Sequence, residues 1–140
     1  CPSSPTVTYH INGMTQDEWI KEVTNEIKKH TDRPIKMRNK PRPSNQWWNT
    51  DIKDDLKDCH CVVTNMSLAA VDGIMNMVPA ITHQRHVASF VTSRDLTKIN
   101  KPMRPGHKTM NEWIKMVADN QFTIQEIEDG IAFKVLQEQI

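Results

Sequence analysis

The stretch from His60 to Thr82 constrains the fold of this chain more than any other. His60-Cys61-Val62-Val63-Thr64 is a nearly unbroken apolar run, typical of a strand covered on both faces. Asn65-Met66-Ser67 reads as a tight polar turn. Leu68 to Met77 reads as a helix carrying Ala69, Ala70, Gly73 and Ile74, small residues that let it rest close to a sheet. Val78-Pro79-Ala80-Ile81-Thr82 reads as a second buried strand. Strand, turn, helix and strand in succession make a βαβ unit, with parallel strands and a right-handed crossover.

The flanks extend the pattern. Val7-Thr8-Tyr9-His10-Ile11 alternates enough to predict a short strand, with Asn12-Gly13 as the turn after it. Thr15 with Glu18 is a capping box. It opens a helix whose apolar positions are Trp19, Ile20, Val23 and Ile27. Lys28, Lys29 and His30 suit its last turn, and Pro34 blocks its continuation. Ile35-Lys36-Met37-Arg38 predicts another short strand. Residues 39–50 read as a loop with Trp47-Trp48, and Asp51–Asp58 as a short polar helix with Ile52 and Leu56 on one side. Beyond a connection over 83–106, Thr109 with Glu112 and Thr123 with Glu126 predict the caps of two C-terminal helices. The apolar faces are Met110, Trp113, Ile114 and Val117 in the first, and Ile124, Ile127, Ile131 and Val135 in the second. This order predicts an α/β chain layered around a short parallel sheet of about four strands. The expectation is one domain over 1–140, with the helical pair of 107–140 packed on it.

Composition narrows the function classes. The chain has 140 residues, a net charge of +1 and 37% hydrophobic residues, enough for one domain with a core. Near-neutral charge argues against a nucleic-acid binder held by bulk electrostatics. A mean hydropathy of −0.62 and the lack of any apolar run near about 18 residues argue against a membrane span. Cys1, Cys59 and Cys61 are an odd number of cysteines, and Cys59-His60-Cys61 is one residue short of the usual C-x-x-C zinc or redox spacing. They read as thiols alternating along a strand, so no metal is expected. The opening residues do not read as a charged-then-apolar leader, and reduced thiols make a cytoplasmic chain the expectation.

An open parallel sheet binds ligands at the carboxyl ends of its strands. Asn65 and Ser67 follow the third expected strand and lead into a helix, whose free N–H groups suit an anion; both are also ordinary N-cap residues. From Lys28 to Arg42 there are seven Lys or Arg against one Asp. Arg38, Lys40 and Arg42 read as a phosphate clamp, with a solvated face or a nucleic-acid patch as alternatives. Trp47 and Trp48 read as base-stacking rings or as plugs under a loop. Asp72 is a candidate for a sugar or ribose hydroxyl, or a solvated acid. His83 and His86, with Arg85, follow the strand ending at Thr82 and could face the crevice; His107 is a third loop histidine.

Asp58 to Thr82 resembles the nucleotide-sugar-binding half of GT-B glycosyltransferases and the related capsular-polysaccharide transferases. There a buried strand, a Ser/Gly turn, a small-residue helix with an acid, and Gly-hydrophobic-Pro before another strand follow one another. Lys36-x-Arg38-x-Lys40-Pro41 is similar to the basic strand end preceding that pattern in phage and bacterial members. Trp113-Ile114, Gln121-Phe122-Thr123 and Glu126 to Ala132 resemble the tail of glycosyltransferase-like phage proteins. Asp72 stands where the family has Glu, and Asn76-Met77 where a Gly precedes the Val-Pro pair. The resemblance implies a Rossmann-like three-layer sandwich that binds a nucleotide-diphosphate sugar as substrate, with no further cofactor. Arg38, Lys40, Arg42, Asn65 and Ser67 would hold phosphate, Asp72 a hydroxyl, and Trp47 or Trp48 the base. The chain has no room for the separate acceptor domain of that family. The alternatives are therefore a non-catalytic nucleotide-ligand-binding module and a structural or interaction domain.

Overall fold

The computed structural model describes residues 1–39, 51–82 and 86–138, which form two compact units, Cys1–Gly106 and His107–Ile140. In the first, α1 (Pro5–Asn12), α2 (Gln16–Lys28) and α3 (Ile52–Leu56) precede β1 (Val62–Thr64), α4 (Ala69–Met75), β2 (Ala80–Thr82) and a 3-10 turn at Leu96–Lys98. The second holds α5 (His107–Asp119), α6 (Ile124–Glu128) and α7 (Ile131–Gln137).

The fold is mixed α/β around the expected βαβ unit. β1 and β2 are parallel, with Val62 opposite Ala80, Val63 opposite Ile81 and Thr64 opposite Thr82. Alternation along the strands sends successive side chains to opposite faces. Val63 and Ile81 meet Trp19, Val23 and Ile27 of α2 and Ile99 beyond the 3-10 turn. Val62 meets α4, where a Cβ on Gly73 would lie 3.0 Å from Val62 Cγ2 and 3.3 Å from the Val78 carbonyl oxygen. The sheet thus has a helix against each face, and glycine is what lets α4 approach so closely. Ser93 adds a single parallel bridge to Ile81 on the outer side of β2.

Two expected strands are corrected, so among the described residues the sheet has two strands rather than about four. Residues 7–11 lie in α1. Ser4 caps its start, Pro5 occupies the first turn, and Gly13, at φ +68, closes it by donating to the Tyr9 carbonyl. Capping at both ends outweighs the β-propensity of Val7, Thr8 and Ile11. Residues 35–38 form no strand; their cations are drawn instead to α3.

Both capping boxes, Thr15 with Glu18 and Thr123 with Glu126, are present. Thr109 does not cap α5, which starts two residues earlier at His107. The last expected helix is split in two, because Gly130 takes φ +73 between α6 and α7. No helix among the described residues is long and apolar enough to cross a membrane.

Candidate functional site

The two ends of β1 carry the chemistry of the first unit, and they differ in kind. At the carboxyl end several polar side chains are buried: Ser3, Thr64, Asn65, Thr82 and Thr92. Most of them are spent on the turn that leads to α4. The Met66 N–H donates to Ser3 Oγ at 2.9 Å, and the Ser67 N–H to Thr64 Oγ1 at 3.2 Å. The Ala69 N–H donates to Ser67 Oγ at 3.3 Å, and the Ala70 N–H to the Ser67 carbonyl at 3.3 Å. The Thr82 and Thr92 hydroxyls pair at 3.1 Å. These bonds use internally most of the amides that an anion at this turn would need. Ser67 is present as expected, but its hydroxyl serves α4.

Asn65 is different. Its side chain is wholly buried, and neither its Nδ2 nor its Oδ1 has a hydrogen-bond partner among the described residues. Leaving a buried polar atom unmet costs roughly 1–3 kcal/mol, so this amide holds unused binding capacity. Asp72 sits in the first turn of α4, half-buried.

His86 closes this end from the far side of β2. Its Nε2 bonds the Ser67 carbonyl at 3.0 Å, and its Nδ1 accepts from the Ala88 N–H at 3.0 Å. Burial lowers its pKa below the ordinary histidine value. The sequence placed His86 at the crevice only as one of several loop histidines. Its spacing from the buried Ala88, at i+2, was the available signal for a side chain capping the backbone.

At the starting end of β1 the chemistry is ionic and thiol. A groove of about 670 Å³ runs between residues 33–38, α3 and Cys59–Val63, and is not lined by Asn65 or Ser67. Arg38 and Lys36 both bind Asp55 of α3. Hydrogen bonds from Lys36 and then Arg38 hold the Asp55 carboxyl below the usual range. Arg38, expected as a phosphate ligand, is thus placed on an internal acid that its charge does not reveal in the sequence. Cys1, Cys59 and Cys61 are free thiol residues lining the same groove. Burial, reinforced by Cys59, pushes the Cys61 thiol up to about 12. Among the described residues no three His, Cys, Asp or Glu side chains are grouped to hold a metal ion.

The remaining expected residues fall elsewhere. Lys40, Arg42, Trp47, Trp48, His83 and Arg85 lie outside the described residues, and His107 begins α5 in the other unit. No protein-family model, no curated protein and no solved structure matches this chain.

Proposed function

We propose that the first unit is a glycosyltransferase-like, Rossmann-like domain that binds a nucleotide-diphosphate sugar or a similar phosphorylated nucleotide at the carboxyl end of β1 and β2. The supporting observation is the backbone at Met77, which takes φ +61 immediately before Val78-Pro79. That left-handed conformation costs a non-glycine residue roughly 1–2 kcal/mol. It falls at the position where the resembled pattern carries glycine. A glycine would take this conformation without that cost, and this is what supports the reading.

In this reading Asn65 and Asp72 contact the ligand, Ser67 shapes the turn beneath it, and Arg38 is a structural cation held by Asp55. An amide with donor and acceptor both open matches a ligand edge that offers one of each, as a pyrimidine or a diol does. Asn65 is covered in the closed turn, so the ligand meets it when the turn opens. The internal capping of Met66, Ser67 and Ala69 favours a second reading, a module that binds such a ligand without turning it over.

A thermal-shift screen against uridine, guanosine, cytidine and adenosine diphosphates and their sugars tests the proposal. A ligand at about 100 times its Kd stabilises the fold by roughly 2.7 kcal/mol. The expected result is a shift with one nucleotide series that Asn65→Leu abolishes. A flat screen overturns both readings; a shift without hydrolysis or transfer selects the module.

A further inference from the structure

We infer that His86 is a neutral-imidazole latch that positions the Asn65–Ser67 turn, and that protonating it releases the turn. The argument rests on which atoms donate. The Ala88 backbone can only donate, so the Nδ1 that faces it at 3.0 Å carries a lone pair. The Ser67 carbonyl can only accept, so the Nε2 that faces it at 3.0 Å carries the hydrogen. Both ring nitrogens are committed, and together they specify one tautomer of the uncharged ring. A second proton would have to sit on Nδ1, pointing at the N–H of Ala88. The ring would then turn away from both partners.

The latch adds a direct bond between two elements that, among the described residues, are otherwise joined only through β2 and β1. His86 belongs to a compact turn whose own bonds are His86 N–H to Ser89 Oγ at 2.7 Å and Ser89 N–H to the His86 carbonyl at 2.8 Å. Ser67 lies 19 residues away, at the start of α4. Residues 65–69 and 86–93 contain no charged side chain besides His86 itself. Among the described residues neither Asp72 on α4 nor any other charge acts on the ring; burial and the Ser67 carbonyl do. His83 and Arg85 lie outside the described residues. The lowered pKa agrees with the geometry, since burial favours the neutral form and outweighs the Ser67 carbonyl, which favours the charged one. Because the turn covers Asn65, the same latch would set how readily a ligand reaches that amide; this consequence rests on the function proposed above, whereas the latch does not.

Nitrogen-15 NMR of the imidazoles in the unliganded chain tests it directly. The expected result is a His86 ring that is Nε2–H and neutral at pH 7, titrating below the ordinary histidine value. A ring protonated at Nδ1, or one titrating at that ordinary value, overturns the latch. Amide exchange adds a test of release. Lowering the pH through the His86 titration should raise exchange from the open turn at Ser67 about five- to tenfold beyond the intrinsic pH effect, as the loss of one hydrogen bond implies. His86→Asn, whose carbonyl can still accept from Ala88, should show that rise at every pH. His86→Gln, long enough to reach Ser67, should restore protection and remove the pH dependence. Unchanged exchange in His86→Asn overturns the proposal. All these readouts are taken without ligand, so their failure is separate from a flat nucleotide screen.

Discussion

The two ends of β1 solve the problem of burying polar chemistry in opposite ways. At the starting end, cations from 33–38 meet an acid on α3, and the charges cancel at the rim of an apolar groove. At the carboxyl end the buried polar side chains among the described residues are uncharged; hydroxyls cap amides one by one, and the amide of Asn65 is left over. Ion pairs at a rim are screened and contribute little. Neutral capping bonds are individually modest, but each is costly to orphan. The carboxyl end is therefore the more tightly specified of the two, and its unmet amide stands out for that reason.

The largest effect should come from the element the two ends share. Ile81→Ala empties a fully buried position between α2 and the sheet and should cost about 2–5 kcal/mol in chemical denaturation. Both ends should loosen together in hydrogen exchange; if one stays protected, they are independent units. Gly73→Val drives a branched side chain into Val62 and the Val78 carbonyl and should cost about 1–3 kcal/mol. A neutral result would mean that α4 sits farther from the sheet.

Within the carboxyl end, Thr64→Val leaves the Ser67 N–H without its acceptor and should cost about 1–2 kcal/mol. Asn65→Leu, one residue on, removes an amide with nothing to lose and should be neutral or stabilising. Equal losses in the two would show that Asn65 is partnered after all. Asp55→Asn should be the mildest, below about 1 kcal/mol at neutral pH, because its ion pairs are partly exposed. Its carboxyl is held below the ordinary aspartate value of 3.8. The stability it contributes is thus present above that value and is lost as pH falls through the folded pKa. An acid titration of stability should be flatter in Asp55→Asn than in the parent chain, and parallel curves would remove the ion pair from the account.

What the sequence made legible follows from local rules. The capping boxes, the buried face of α2 at Trp19, Val23 and Ile27, and the small-residue seat of α4 are all set by neighbours within one or two turns. The parallel pair was legible because both its strands are short apolar runs. The partner of Arg38 was not, since Asp55 is 17 residues away and many acids were equally available. The role of Ser67 was half visible: a hydroxyl before a helix is a cap or a ligand group, and only coordinates show it bonded to Ala69. Residues 7–11 misled because their alternation is real, while the signals that decide them, Ser4-Pro5 and Gly13, lie just outside the window.

The thiols at the groove have a practical consequence. With Cys61 raised to about 12 and Cys59 also raised by burial, both stay protonated near neutrality, and thiolate is the form that alkylating reagents attack. Iodoacetamide labelling at these two positions should therefore be slow in the native protein and fast once the surrounding segment breathes, which makes the chain its own chemical clock for the opening of that wall.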